Sequence, residues 1–296
     1  MHRLVCLACD DSDELAKARR VELDMSRDVA RALGISAVEI CAAGQYVNSA
    51  GAVVNLRPQL QRAMSRVVSI RPGTTLPPSR RAPVPETRVI VCNLGTLAAT
   101  RAMRARGLRT LALNFASGVH AGGGFLTGAR AQEECLCRSS GLWTTLNGDA
   151  MYAAHRERPT PDSTDWAILS LDVPVFRDDA GRLLDEPWGF NCLSCAAPFA
   201  PEVGQPLSGD LLQARIARVL AIARAFEFDS LVLGAWGCGA FRNDPHRTAR
   251  DFRTALETEF AGVFEEVQFA IADWSPGRKF LGPFRDVFSN DPPKPR

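Results

Sequence analysis

Glu133 and Glu134 stand side by side behind Gln132, a short way after three successive glycines, Gly122-Gly123-Gly124. Those glycines follow an apolar run that ends in Asn114-Phe115-Ala116-Ser117. Glycines between a strand and a helix start let the backbone approach a ligand with no Cβ in the way. The N–H groups of the following turn favour negative charge, so a phosphorylated ligand is expected there. Acids beside a diphosphate repel it unless they have chemistry to do, and proton transfer is the simplest. Adjacent helical residues point about 100° apart, so the two glutamates are not expected to face one reacting bond: one reacts and the other positions. A blander reading exists, in which glutamates merely suit the first turn of a helix and the glycines only turn the chain.

A second glycine loop repeats the layout. Gly234-Ala235-Trp236-Gly237-Cys238-Gly239-Ala240-Phe241 follows an apolar run and precedes a helix from Asp244. In an open α/β sheet a ligand lies across the carboxyl ends of the strands, so loops distant in sequence can grip one diphosphate. Phe241 is either a buried anchor or a wall for a sugar or base, and Asn243-Asp244 suffices as a helix cap. Trp143 and Trp236 read as core residues beside apolar segments. Phe199 is a weak candidate for facing a base.

The elements that must hold these loops alternate. Val89–Cys92, Leu108–Asn114, Trp166–Val173, Phe190–Ala197, Ser230–Leu233 and Val267–Ala272 read as strands, and Gly95–Arg106, Gln132–Leu142, Gly209–Phe226 and Asp244–Phe260 as helices. The class is therefore α/β with a largely buried sheet. Ahead of them, Asp13–Leu33 reads as an amphipathic helix ended by Gly34, Val38–Cys41 and Val53-Val54 as short strands, and Leu60–Val68 as a helix. A proline-rich basic stretch, Arg71–Pro85, reads as an exposed connection, and the tail from Asp291 as loose.

The chain has 296 residues and a formal charge of +2, which provides no basic field for following a nucleic-acid backbone. Direct nucleic-acid binding is not expected. Nine cysteines, an odd number scattered through apolar runs, point to reduced thiols and a cytoplasmic location. Cys6, Cys9, Cys192 and Cys195 could in principle offer four thiolates to zinc, but they lack the flanks of a knuckle, and buried cysteine is the preferred reading. The start of the chain is too short in apolar residues for a signal peptide, and no run is long enough to span a membrane.

Gly122-Gly123-Gly124 followed by Gln132-Glu133-Glu134 resembles the signature of the poly(ADP-ribose) glycohydrolases, and Asn114-Phe115-Ala116-Ser117 resembles its microbial branch. The resemblance continues through Asp172-Val173-Pro174-Val175-Phe176-Arg177 and Leu233 to Phe241, and covers most of the chain from about Val89 to Ala272. It implies a macrodomain-like three-layer α/β/α sandwich with a mixed central sheet (residues 86–285), a mainly helical N-terminal extension packing on it (1–85), and a loose tail (286–296). It also implies exo-acting hydrolysis of the ribose–ribose O-glycosidic bonds of poly(ADP-ribose), with ADP-ribose as product, no cofactor and no metal, by a monomer. Glu134 would be the acid/base and Glu133 would hold the ribose on the leaving side. Asn114 would contact a ribose, Gln132 and Gly122, Gly123 and Gly124 the substrate, Gly237, Cys238, Gly239 and Ala240 the diphosphate, and Phe241 the distal ribose. Bound diphosphate and exclusion of water both favour the acid form of a carboxyl beside them. His120-Ala121 departs from the Asn-Pro common in the family, so His120 is read as shaping the loop. Two rivals stay open. One is a macrodomain that binds ADP-ribose without cleaving it, against which Glu134 argues. The other is an enzyme that removes a single ADP-ribose from protein or nucleic acid. A phosphate-handling protein unrelated to ADP-ribose would rest on the glycine loops alone.

Overall fold

The computed structural model of the chain describes residues 2–289. Its strands are β1 (Arg3–Cys6), β2 (Gln45–Val47), β3 (Val53–Asn55), β4 (Val68–Ile70), β5 (Glu86–Cys92), β6 (Thr110–Ala116), β7 (Ala167–Arg177), β8 (Leu183–Ala196), β9 (Ser230–Leu233) and β10 (Glu266–Ala270). Its helices are α1 (Asp13–Leu23), α2 (Arg27–Ala43), α3 (Arg57–Ser65), α4 (Thr96–Ala105), α5 (Gln132–Ser139), α6 (Leu142–Leu146), α7 (Ala150–Arg156), α8 (Ala200–Val203), α9 (Leu207–Ala225), α10 (Pro245–Glu257) and α11 (Leu281–Val287).

Eight strands form one sheet in the order β1-β5-β10-β9-β6-β8-β7-β4. Neighbours from β1 to β8 run parallel, and β7 runs against both β8 and β4. This is a mixed sheet covered on both faces, the three-layer sandwich of a macrodomain-like fold. Residues alternate between the faces with a period of two. Leu111 and Leu113 of β6 join the core beneath α9, α10 and α11, where Phe252, Phe269 and Phe284 pack, whereas Ala112 joins the core beneath α4 and α5, with Leu97 and Leu136.

The strands β6 and β9 are adjacent and parallel, yet β6 leads to α5 on one face and β9 to α10 on the other. Their outgoing loops part at the carboxyl edge and leave a crevice, the usual ligand position in such sheets.

The first 85 residues do more than pack on the sheet from outside. Their first strand, β1, pairs with β5, and their last, β4, pairs with β7, so they supply both outer strands. Three local expectations are corrected. The helix expected over 13–33 is two helices, divided at Asp24–Ser26, where Ser26 Oγ caps α2 by accepting the Val29 N–H at 3.2 Å. Gly34 does not end a helix but lies inside α2, where an added Cβ would stand 2.5 Å from the Phe125 carbonyl oxygen. Residues 38–41 are helical rather than a strand, because Ala30, Gly34, Ala37 and Ile40 form one buried stripe at helical spacing. Gly44, at φ +68°, is the true terminus.

The tail expected from residue 286 begins later: α11 runs to Val287 and Phe288 is buried. Residues 290–296, which include the tail from Asp291, lie outside the described residues. Cys6 on the outer strand β1 is five strands away from Cys192 and Cys195 on β8, so these thiols are not brought together. None of the nine cysteines, all among the described residues, forms a disulfide. Among the described residues no helix is long and apolar enough to cross a membrane.

Candidate active site

Where β6 leaves the sheet, the side chains of α5 take over its hydrogen bonds. The helix has no side-chain cap of its own at Ala131, and its first residues reach back to the strand instead. Gln132 Oε1 accepts the Phe115 N–H at 2.9 Å, while Nε2 donates to the Leu113 carbonyl at 2.7 Å and to Thr96 Oγ1 at 3.2 Å. Glu133 Oε2 accepts the Ser117 N–H at 2.7 Å, and Oε1 accepts from Asn114 Nδ2 at 3.2 Å. Glu134 Oε1 accepts the Gly124 N–H at 2.9 Å, and its Oε2 has no partner.

Both glutamates are buried. Burial pushes the Glu133 carboxyl up to about 8. The N–H of Ser117 opposes that shift and the neighbouring Glu134 adds to it, with smaller opposition from Asn114 and the Gly122 N–H.

The triple glycine encloses these carboxylates. Gly122 and Gly123 have φ of +76° and +59°, a region that suits residues without a Cβ. A Cβ on Gly123 would lie 2.4 Å from Glu134 Oε1 and 2.9 Å from Glu133 Oε2. The anion held close to this loop is therefore the protein's own. The same distances correct the expectation that the two carboxylates face apart: both converge on Gly123, because two flexible side-chain bonds undo the divergence of their Cα positions. His120 is exposed, and its backbone shapes the loop by donating to Ser117 Oγ at 3.2 Å and accepting the Gly123 N–H at 3.0 Å.

The opposite wall is the loop after β9. Asn243 pins it: its Nδ2 donates to the Pro198 carbonyl at 2.9 Å and the Gly237 carbonyl at 3.2 Å, and its Oδ1 accepts from Ser208 Oγ at 2.6 Å. Gly237, at φ +75°, passes so close to the sheet that a Cβ would lie 2.7 Å from that of Ala197. The Phe241 ring meets Phe199 nearly at right angles, with centroids 5.8 Å apart.

Between the walls lies a cavity of ≈ 380 Å³. Gln132, Glu133, Glu134, Gly237, Gly239, Ala240 and Phe241 line it. Asn114, Gly122, Gly123, Gly124 and Cys238 do not. Asn114 shares the face of Ala112, which α5 covers, so it is fully buried beneath Glu133 and also bonds Ser194 Oγ at 2.9 Å. Cys238 turns away, toward Thr248 Oγ1 of α10 at 3.6 Å. Gln132 lines the cavity, but its amide is engaged by β6 and α4. Trp143 packs against the core, Trp236 belongs to the core and also lines the cavity, and Phe199 supports Phe241 without lining the cavity.

Phe115, Ala116, Ser117, Ala235 and Trp236 of the two sequence-marked loops also line it, but much of the remaining lining was missed in the sequence. Leu94, Gly95, Thr96 and Leu97 after β5, Ala270, Ile271 and Ala272 after β10, Trp274, Phe280, Asp179, Arg130 and Leu23 all contribute. Their common signal is position: most follow the carboxyl ends of β5 and β10, and only the strand order reveals that these ends adjoin β9 and β6.

A family model described as the catalytic domain of microbial-type PARG matches residues 35–178. The fold is similar to the crystal structure of poly(ADP-ribose) glycohydrolase from Thermomonospora curvata, with 39% sequence identity, a TM-score of 0.81, and coverage of 88% of this chain and 99% of that one. The structure of that enzyme bound to the inhibitor ADP-HPD is 40% identical, with a TM-score of 0.80 over 87% of this chain and 98% of the other. The Deinococcus radiodurans poly(ADP-ribose) glycohydrolase in complex with ADP-ribose is 40% identical, with a TM-score of 0.70 over 77% and 96%. No curated protein matches the chain.

Proposed function

Because the chain belongs to the microbial-type poly(ADP-ribose) glycohydrolase family, we propose that it is a glycosidase that hydrolyses the ribose–ribose O-glycosidic bonds of poly(ADP-ribose) and releases ADP-ribose. Its substrates are poly(ADP-ribose) or ADP-ribosylated protein. The observation that carries the assignment of roles is the asymmetry of the two carboxylates. Glu133 has both oxygens engaged by the protein, whereas Glu134 has one oxygen anchored and the other unpartnered.

In this reading Glu134 gives its proton to the ribose oxygen that departs as the C1″–O bond breaks and an oxocarbenium-like centre forms. It then takes a proton from the water whose oxygen bonds to C1″, which restores the acid. Glu133 holds a hydroxyl of the ribose on the leaving side, and its buried carboxyl, which burial favours in the protonated form, suits that task. The distal ribose rests against Phe241, and the diphosphate lies over Gly237, Gly239 and Ala240. Gly122, Gly123, Gly124, Gln132 and Asn114 act one step back, by holding the two carboxylates.

Attack proceeds from the free end of the polymer, by a single chain that supplies both walls of the cavity and so needs no second copy. An odd number of cysteines, none of them in a disulfide, favours a cytoplasmic setting.

Product analysis tests the reading. Wild type and Glu134→Gln are mixed with defined poly(ADP-ribose) and with mono-ADP-ribosylated protein. Release of ADP-ribose from polymer by the wild type alone, with the last protein-bound unit left in place, is expected. Removal of that last unit would make the protein a mono-ADP-ribosyl hydrolase, and tight binding without product would make it a reader.

A further inference from the structure

The loop that holds both carboxylates is itself held from outside. Ser117, at its start, supplies the N–H that Glu133 accepts, and Gly124, at its end, the N–H that Glu134 accepts. Two successive carbonyls of this loop are gripped by two successive residues of α7. His155 Nδ1 lies 3.1 Å from the Gly118 carbonyl oxygen, and Arg156 Nη1 donates to the Val119 carbonyl at 2.7 Å. The two contacts differ in setting. Arg156 is exposed, whereas His155 is 4% exposed and the reaction gives it no task of its own.

The far side of the ring decides which nitrogen bears the proton. Nε2 accepts the Thr164 backbone N–H at 3.1 Å, and a backbone N–H can only donate. Thr164 Oγ1, 2.7 Å from the same nitrogen, completes the contact while accepting the Trp166 N–H at 3.2 Å. Nε2 is therefore bare, and Nδ1–H donates to Gly118. The segment beyond the ring is firmly held. Ser163 is left-handed, at φ +56°, and its neighbour Asp162 is gripped by Arg158 Nε, which donates to Oδ1 at 2.6 Å, and by Arg215 Nη2, which donates to the carbonyl. A Cβ on Gly118 would stand 2.2 Å from Ser163 Oγ and 3.3 Å from His155 Nδ1, so the imidazole, Ser163 and the loop are in close contact.

We propose that His155, as the neutral Nδ1–H tautomer, is a positioning residue for the reaction: by holding the Gly118 carbonyl it sets the path of the loop whose N–H groups orient Glu133 and Glu134. This role rests on the glycohydrolase reading above. A second proton, on Nε2, would oppose the Thr164 N–H and push the ring and residues 163–164 apart, and both rest against Gly118. The charged groups that act on the ring are Arg215 of α9, and Arg158 and Asp162 after α7; the Trp166 ring meets it edge-on, with centroids 6.5 Å apart. Burial holds the imidazole below the ordinary histidine value of 6.5; the Gly118 carbonyl opposes that shift, Arg215 and Arg158 add to it, and Asp162 opposes it. The neutral form thus prevails at neutral pH and is lost only below 6.5.

The test compares polymer turnover and calorimetric ADP-ribose binding in wild type, His155→Ala, His155→Asn and His155→Gln, from about pH 5 to pH 8. The Asn amide stands where Nδ1–H does and keeps the donor to Gly118; the longer Gln amide reaches toward Thr164 instead. His155→Ala and His155→Gln are expected to lose kcat by about 10²-fold, the effect of a misplacement of about 1 Å, with KM and ADP-ribose affinity nearly unchanged, and His155→Asn to recover most of that loss. Wild-type kcat should fall as pH drops below 6.5, and that limb should be absent from His155→Asn. Equal kcat in His155→Ala and wild type, equal losses in the Asn and Gln variants, or an acid limb shared by wild type and His155→Asn would each overturn the positioning role while polymer cleavage stands. Should the variants fail to fold, as read by thermal unfolding, nitrogen NMR of the wild-type imidazole decides. Protonation of Nε2 in step with the loss of kcat is expected, and an Nε2–H tautomer at neutral pH, or a titration unrelated to kcat, would overturn the role. No release of ADP-ribose by the wild type would overturn it together with the function on which it rests.

Discussion

The backbone N–H of Gly124 donates to Glu134 Oε1 at 2.9 Å, so the loop in front of α5 grips this carboxylate by one oxygen and leaves the other without a protein partner. The glycines thus pack against the two carboxylates and do not themselves line the cavity.

Replacing Glu134 by Gln keeps an oxygen for the Gly124 N–H but removes the transferable proton. The expected result is a loss of turnover of about 10²- to 10⁴-fold with ADP-ribose affinity nearly unchanged, measured by product release and by calorimetry. An equal loss of affinity would identify Glu134 as a binding residue instead.

Gly123→Ala places a methyl group where both carboxylates already stand, at a backbone φ of +59°. Destabilisation of about 1–3 kcal/mol is expected from backbone strain alone, together with a collapse of turnover as the glutamates are displaced. Urea unfolding and kcat measured on the same preparation check both effects. Full activity at wild-type stability would contradict the packing described.

Glu133 makes stability depend on pH. Its folded value of about 8 lies above the ordinary 4.5, so the folded state holds a proton that the unfolded chain releases. The resulting stabilisation is fully present below about pH 4.5 and is lost as pH rises toward 8, on the order of a few kcal/mol. Unfolding free energies of wild type and Glu133→Gln, compared from pH 5 to pH 8, should show the wild type losing ground steadily. A constant difference would mean that Glu133 ionises alike in both states.

Asn243→Ala removes three hydrogen bonds that pin the loop carrying Gly237 to Phe241. The loop should loosen while the glutamates, held by β6 and α5, stay in place. The expected kinetic signature is a KM raised several-fold with a smaller change in kcat. A fall in kcat with KM unchanged would place the pinning role elsewhere.

The glutamate pair, the glycine loop before it and the Phe241 loop were legible in the sequence because each lies at a strand-to-helix junction whose flanks have clear periodicity. Which of these residues face the ligand was not legible. Asn114 looks like a polar strand end, but the alternation of β6 turns it beneath α5; Gln132 looks like a ligand contact, but its amide completes the hydrogen bonding of β6. In the N-terminal part, Val38–Cys41 has strand-like composition, and only the small residues at helical spacing, which let α2 approach Phe125, decide for a helix. The short outer strands β1 and β4 carry too little pattern to be read without their partners. Asp179 offered no signal at all, since its neighbour Gly95 is distant in sequence.

Because the outer strands β1 and β4 come from the segment before the proline-rich connection, a protease cut between residues 71 and 85 would not release that segment. The two pieces would remain joined by both edges of the sheet and by Arg278, which holds Asp11 at 2.9 Å from the far end of the chain. The nicked protein should migrate as one species until denatured, and the two pieces, made as separate polypeptides, should complement each other into an active whole.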